Sequence, residues 1–180
     1  MVDITKAKTI DGWMSEEELT WLAEQASTHK LVVEIGSYKG RSTRAIGDNA
    51  QGVVIAVDHW RGEDHLTLSE EERDKLYTDF CNNLQDLIEK KKVIPFKLDH
   101  KGLTPNLDIR LDFHPDFVFI DGDHSYESVK HDIQVWMREV APGGIISGHD
   151  AQHPPVTQAV VELVQNVKVV PNTSIWYANV

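Results

Sequence analysis

The chain has 180 residues, of which 41% are hydrophobic and 26% charged. This is an ordinary globular composition that suits a single domain over residues 1–180 and excludes a disordered chain. Eighteen Lys and Arg against 29 Asp and Glu give a net charge of −11, the opposite balance from a protein that neutralises many phosphates, so nucleic acid is not the expected partner. Cys81 is the one cysteine, which excludes an internal disulfide and a thiolate metal cluster and suits a reducing compartment. No apolar run approaches the ~20 residues of a membrane span, and MVDITKAKTIDGW lacks a signal-peptide core. A membrane partner is therefore not expected, and the expected location is cytoplasmic.

Ser15 followed by Glu18 spells a capping box, and Met14 with Leu19 a hydrophobic staple. Leu19, Leu22, Ala23 and Ala26 keep one face of the helix apolar. LVVEIG (31–36) is a short apolar run ending at glycine, the profile of a buried parallel strand. A helix is expected from about Arg41, with Ser42 as a candidate cap. VVIAVD (53–58) is a second apolar strand ending in an acid. The polar stretch 61–73 reads as a loop insertion. Ser69 with Glu72 forms another capping box, and Leu76, Phe80, Leu84, Leu87 and Ile88 predict one long helix to about Lys90.

VIPFKL (93–98) is the third strand, placed at an edge by Pro95. DFVFID (116–121) is the fourth, followed by a helix from Ser125 to Val140 that Pro142, Gly143 and Gly144 stop. GIISGHD (144–150) is the fifth strand and its exit. A helix from about Pro155 to Gln165 follows, and VKVV (167–170) with IWYANV (175–180) closes the chain as a β-hairpin around a PNTS turn. Alternating strands and helices imply a doubly wound α/β fold whose ligands lie beyond the carboxyl ends of the strands.

Those ends carry the chemistry. Gly36 lets the chain turn sharply, and Gly40 leaves room for a close ligand or simply serves a strand-to-helix turn. Asp58 lies about 20 residues on, where an acid receives ribose hydroxyls; an ordinary capping acid is the other reading. Dinucleotide binders need glycine where this chain has Tyr38 and Arg41, so an adenosine-bearing cofactor without pyrophosphate fits better. The fourth strand exits through Asp121-Gly122-Asp123-His124 and the fifth through Gly148-His149-Asp150. Carboxylates and imidazoles so grouped suit Mg²⁺ or another divalent cation, whereas Asp123 and Ser125 taken singly read as helix caps.

VEIGSYKGRST, the later VD, DFVFIDGDHSYESVKHDIQVW and PGGIISGHD together resemble the class I methyltransferases. More narrowly, they resemble methyltransferase family 24, related to metal-dependent sugar and catechol O-methyltransferases, over about residues 30–150. The resemblance implies a Rossmann-like, seven-stranded, mostly parallel sheet of order 3-2-1-4-5-7-6 with the seventh strand antiparallel, and S-adenosylmethionine as cofactor. It implies that Glu34, Gly36, Ser37 and Gly40 approach the methionine and ribose, that Asp58 holds the ribose, and that Asp99 and His100 lie near the adenine. Asp121 also borders the cofactor, and His59 and Trp60 are stacking candidates. Asp121, His149 and Asp150 take the metal positions, with His149 standing where the relatives carry an acid.

The expected reaction is methylation of a small-molecule acceptor, foremost at a hydroxyl. Such an acceptor needs a base or a metal to become nucleophilic. Asp121, His124 and His149 are the catalytic candidates, with His124 first for proton removal. The acceptor site is open or completed by a partner subunit in a homo-oligomer. Rival readings are a nicotinamide-dependent oxidoreductase and a non-catalytic nucleoside-binding module. Trp13, Trp60 and Trp176 are candidates for lining a pocket or for the core.

Overall fold

The computed structural model describes residues 1–62, 68–97 and 114–180. Its centre is a seven-stranded sheet of order β3-β2-β1-β4-β5-β7-β6. The strands are β1 (Leu31–Ile35), β2 (Val53–Asp58), β3 (Val93–Lys97), β4 (Phe117–Ile120), β5 (Ile145–Gly148), β6 (Lys168–Val169) and β7 (Trp176–Asn179). The first five pair in parallel, and β7 runs antiparallel to both β5 and β6. Pro95 falls in β3, an edge strand as its missing N–H requires.

Alternation along the strands explains why both faces of the sheet are covered. Val32, Val54, Ala56, Phe117 and Phe119 face one apolar cluster, and Val33, Val57, Val118 and Ile120 face the other. The first face is covered by α1 (Glu16–Ala26), α2 (Arg41–Asn49), α3 (Glu70–Asn83) and α4 (Gln85–Glu89), the second by α5 (Tyr126–Glu139) and α6 (Pro154–Leu163). Fully burying a side chain such as Phe119 contributes roughly 1.5–3 kcal/mol. Both predicted capping boxes form, at Ser15–Glu18 and Ser69–Glu72. Met14 and Leu19 are both buried in the first cluster, as a staple requires.

Two helix expectations are corrected. The predicted long helix breaks at Leu84 (φ −117°), between α3 and α4. No glycine or proline marks this break. Asn83 Nδ2 donates to the Lys39 carbonyl at 2.9 Å and Arg44 pairs with Asp86, so contacts with the start of α2 stand on either side of it. Ser42 is not the cap of α2; Gly40, at φ +89°, holds that position. No helix among the described residues is long and apolar enough to cross a membrane.

Because β1 lies between β2 and β4, the connections leave it in opposite directions. A crevice opens at that switch point beyond the carboxyl ends, as open α/β sheets dictate.

Candidate active site

A crevice of about 1330 Å³ is lined by the exits of β1, β2, β4 and β5, the start of α5 and the segment before α1. It exceeds the ~300–1,000 Å³ of an ordinary small-molecule pocket. Gly36, Asp58 and Asp121 all border it.

Gly36 is required by crowding as well as by its φ of +84°. A Cβ there would lie 2.1 Å from the Asp121 carbonyl oxygen. Asp58 organises the turn that follows. Its Oδ2 accepts from the amides of Ser37 and Tyr38, both at 2.8 Å, and its Oδ1 from that of Trp60 at 2.6 Å. A carboxylate has about four acceptor positions, so roughly one remains for a ligand. Ser37 and His59 also line the crevice, and His59 is partly exposed.

Glu34 and Gly40 are not among the crevice-lining residues. Glu34 lies fully buried beneath the turn, where its Oε2 accepts from Ser37 Oγ at 2.7 Å and from Thr43 Oγ1. Burial pushes its carboxyl up to about 7 despite the hydroxyls of Ser42, Thr43 and Ser37. Gly40 faces the α3–α4 junction, and a Cβ there would lie 3.0 Å from Leu84, so its missing side chain makes room for packing. Trp60 is not available for stacking on a ligand. It is buried against Tyr77 and Phe80, with ring centroids 4.9 and 4.8 Å away, and Nε1 donates to the Tyr38 carbonyl. Trp176 is likewise core. Asp99 and His100 lie outside the described residues, as do 63–67 of the predicted insertion.

The exits of β4 and β5 meet as their pairing predicts. Asp121, His124 and Asp150 each present a ligand atom within 4.8 Å of the others. His124 Nε2 is 2.8 Å from Asp150 Oδ2 and 3.9 Å from Asp121 Oδ1. Burial raises the Asp121 carboxyl above its ordinary range, although His124 and His149 oppose the shift. Hydrogen bonds from His124 and His149 hold Asp150 well below it.

His149 has acids at both ring nitrogens. Nε2 lies 3.0 Å from Glu18 Oε1, and Nδ1 lies 3.1 Å from Asp150 Oδ2 and 3.7 Å from Asp121 Oδ1. Burial alone would lower its pKa, but Asp150, Glu18 and Asp121 outweigh burial and lift it to about 10. The same three acids favour the protonated imidazole. His124, not His149, is the imidazole whose ligand atom converges with those of Asp121 and Asp150. Glu18 is the member of this charged cluster that sequence reasoning missed. Its capping signature was visible, but its second carboxylate oxygen reaches His149 and the Ser174 amide.

Asp123 and Ser125 serve as caps at the start of α5. Ser125 N donates to Asp123 Oδ1, and Ser125 Oγ accepts from Ser128 N. Trp13 does line the crevice, 70% exposed yet resting on Tyr38 with ring centroids 5.0 Å apart. Its segment is tied down by Arg41, whose Nε donates to the Met14 carbonyl at 3.0 Å and whose guanidinium also donates to that of Ile10 at 2.7 Å.

A doubly wound sheet of this strand order, with a ligand crevice at its switch point and an acid–imidazole cluster on the crevice wall, defines a Rossmann-like methyltransferase fold. The chain belongs to the family of methyltransferase domains numbered 24, which it matches over residues 33–151. An O-methyltransferase from Bacillus cereus, solved with S-adenosylhomocysteine, superposes with a TM-score of 0.65 at 16% identity, covering 97% of this chain and 86% of that one. The O-methyltransferase TomG from Streptomyces achromogenes, solved with S-adenosylmethionine, superposes at 0.65 with 13% identity, covering 93% and 81%. An uncharacterized Sinorhizobium fredii protein, y4gI, is 28% identical over 138 residues. That match covers 73% of this chain but only 14% of y4gI.

Proposed function

We propose that the chain transfers a methyl group from S-adenosylmethionine to a hydroxyl of a small-molecule acceptor. The convergence of Gly36, Asp58 and Asp121 on one crevice carries this reading. Its volume has room for an adenosyl group and an acceptor together. Family membership and the bound ligands of the two O-methyltransferases support the same donor. A pyrophosphate-bearing dinucleotide is the poorer fit. Tyr38 and Arg41 stand where glycines would admit it, and Arg41 is committed to backbone carbonyls.

In this reading Asp58 takes one ribose hydroxyl with its remaining acceptor position, and the Ser37–Tyr38 turn it braces lies against the cofactor. The acceptor oxygen attacks the sulfonium methyl in line; a C–O bond forms as the C–S bond breaks, and the sulfur keeps the electron pair. The protein's contribution is alignment and deprotonation, of which alignment supplies up to ~7–11 kcal/mol in ideal cases. His124, whose Nε2 lies 2.8 Å from Asp150 Oδ2, receives the acceptor's proton.

Asp121, His124 and Asp150 also fit a divalent cation, being two carboxylates and an imidazole converging beside an open crevice. A cation bound there would supply Lewis-acid polarisation of the acceptor hydroxyl, with His124 as its ligand and not the base.

Calorimetric titration with S-adenosylhomocysteine and with NAD tests the donor assignment; tight NAD binding with none for the homocysteine product overturns it. Transfer of labelled methyl measured with and without EDTA separates the two roles of His124. Turnover that survives EDTA assigns the base, and turnover abolished by EDTA and restored by Mg²⁺ assigns the ligand.

A further inference from the structure

Among the described residues, seven carboxylate side chains line the crevice against two basic ones, Arg41 and Lys130. Both cations are already committed. Arg41 is bound to backbone carbonyls, and Lys130 Nζ reaches Tyr126 OH at 2.9 Å and Glu162 at 3.1 Å. The imidazolium of His149 is shared among Glu18, Asp150 and Asp121. The described lining therefore attracts cations and repels anions.

Within it, one acid stands apart. Asp132 lines the crevice from the middle of α5 and is only 5% exposed. Among the described residues it has neither a hydrogen bond nor an ion pair. Burial, then the neighbouring charge of Asp123, push its carboxyl up to about 7. An uncompensated buried carboxylate is costly, and a partner that brings positive charge or hydrogen-bond donors relieves that cost. Asp132 also stands clear of the cluster at the strand exits. At 1.5 Å per residue it is roughly 10 Å along α5 from the Ser125 cap. Trp13, on the same lining and resting on Tyr38, presents an exposed aromatic face, a surface suited to a ring or a cation.

We propose that the acceptor is a cationic, amine-bearing compound, and that Asp132 is the carboxylate that receives its ammonium group while Trp13 borders its apolar body. This rests on the methyl-transfer reading of the crevice and adds the substrate class to it. A charge-assisted N–H···O pair would satisfy Asp132 as no described residue does. Acceptors carrying phosphate or carboxylate are disfavoured by the same lining.

The test is calorimetry at pH 8 on protein saturated with S-adenosylhomocysteine, using three probes of shared shape: 2-phenylethylamine, 2-phenylethanol and phenylacetate. The expected order is amine first, at least tenfold tighter than the alcohol, with the acid weakest. In Asp132→Asn the amine should come within threefold of the alcohol, and Asp132→Ser carries the same expectation should the first variant not fold. Equal or tighter binding of the alcohol or the acid overturns the proposal. So does an amine preference that survives both substitutions, or the binding of none of the three at millimolar concentration. The saturation step separates two failures. If S-adenosylhomocysteine does not bind, the methyl-transfer reading itself falls; if it binds and the probes show no preference for charge, only the ammonium subsite falls.

Discussion

Replacing Glu18 with Gln removes one charge and creates a donor where every neighbour already donates. Oε2 accepts from the amide and hydroxyl of Ser15 at 2.8 and 2.9 Å, and Oε1 from His149 Nε2 at 3.0 Å and the Ser174 amide at 2.9 Å. An amide NH₂ must face one of these pairs and forfeit it. Breaking one side of a buried charged pair costs roughly 3–5 kcal/mol, and loss of the cap contributes about 1 kcal/mol if that side is sacrificed instead. We expect a loss of about 2–4 kcal/mol, or a Tm lower by about 5–15 °C at ~2–4 °C per kcal/mol for a chain of this size.

The pH dependence fixes the cause. His149 is raised from 6.5 to about 10, so its share is fully present below pH 6.5 and is lost as pH rises through 10. Glu18 is lowered from 4.5 to about 2, since the His149, Ser174 and Ser15 hydrogen bonds outweigh burial. Its share is present above pH 4.5 and lost as pH falls through 2. The gap between wild type and Glu18→Gln, followed by circular dichroism melts, should therefore be widest near pH 5–6 and narrow toward pH 10. A gap below 0.5 kcal/mol at pH 6, or one that grows with pH, would refute the reasoning.

Gly36→Ala places a Cβ 2.1 Å from the Asp121 carbonyl at φ +84°; the left-handed conformation alone costs about 1–2 kcal/mol. The collision adds to it, so thermal melts should show one of the largest losses of any single substitution. Asp58→Ala should weaken S-adenosylhomocysteine binding and also lower Tm, because three backbone amides lose their acceptor; intact affinity by calorimetry would mean that the ribose is held elsewhere. Asp121→Asn should slow labelled methyl transfer at least tenfold, and unchanged turnover and metal dependence would remove Asp121 from the site. His124→Gln should cost more turnover than His149→Gln when stability losses are corrected for.

Legibility in the sequence followed locality. LVVEIG, VVIAVD and DFVFID announced strands covered on both sides because every residue along them is apolar or nearly so, and parallel order then forced their acidic exits together. Pro95 marked its own edge. Leu84, at φ −117°, could not be read as a break, because no glycine or proline marks it and the contacts on either side, Asn83 to the Lys39 carbonyl and Asp86 to Arg44, reach residues more than 40 positions away. Ser42 looked like a cap, yet a left-handed Gly40 starts the helix. The roles of His124 and His149 were also hidden. Asp150 sits in a left-handed turn at φ +56°, and both imidazoles meet it and Asp121, a convergence that no local pattern spells. Glu18 and His149 are 131 positions apart, so no pattern within α1 could signal their contact.

That contact changes the chemistry expected of the cluster. The resemblance assigns an acid to position 149, which would place three negative charges around a bound cation. With His149 held as an imidazolium, the same three positions sum to one negative charge. Each unit charge at about 4 Å is worth on the order of 4 kcal/mol at an effective dielectric of 20, so a divalent cation loses much of the attraction that an all-acid site would give it. The clamp that costs the site cation affinity also steadies Asp150, which in turn orients His124. The same charge balance bears on both roles proposed for His124, base and cation ligand, which the EDTA comparison separates.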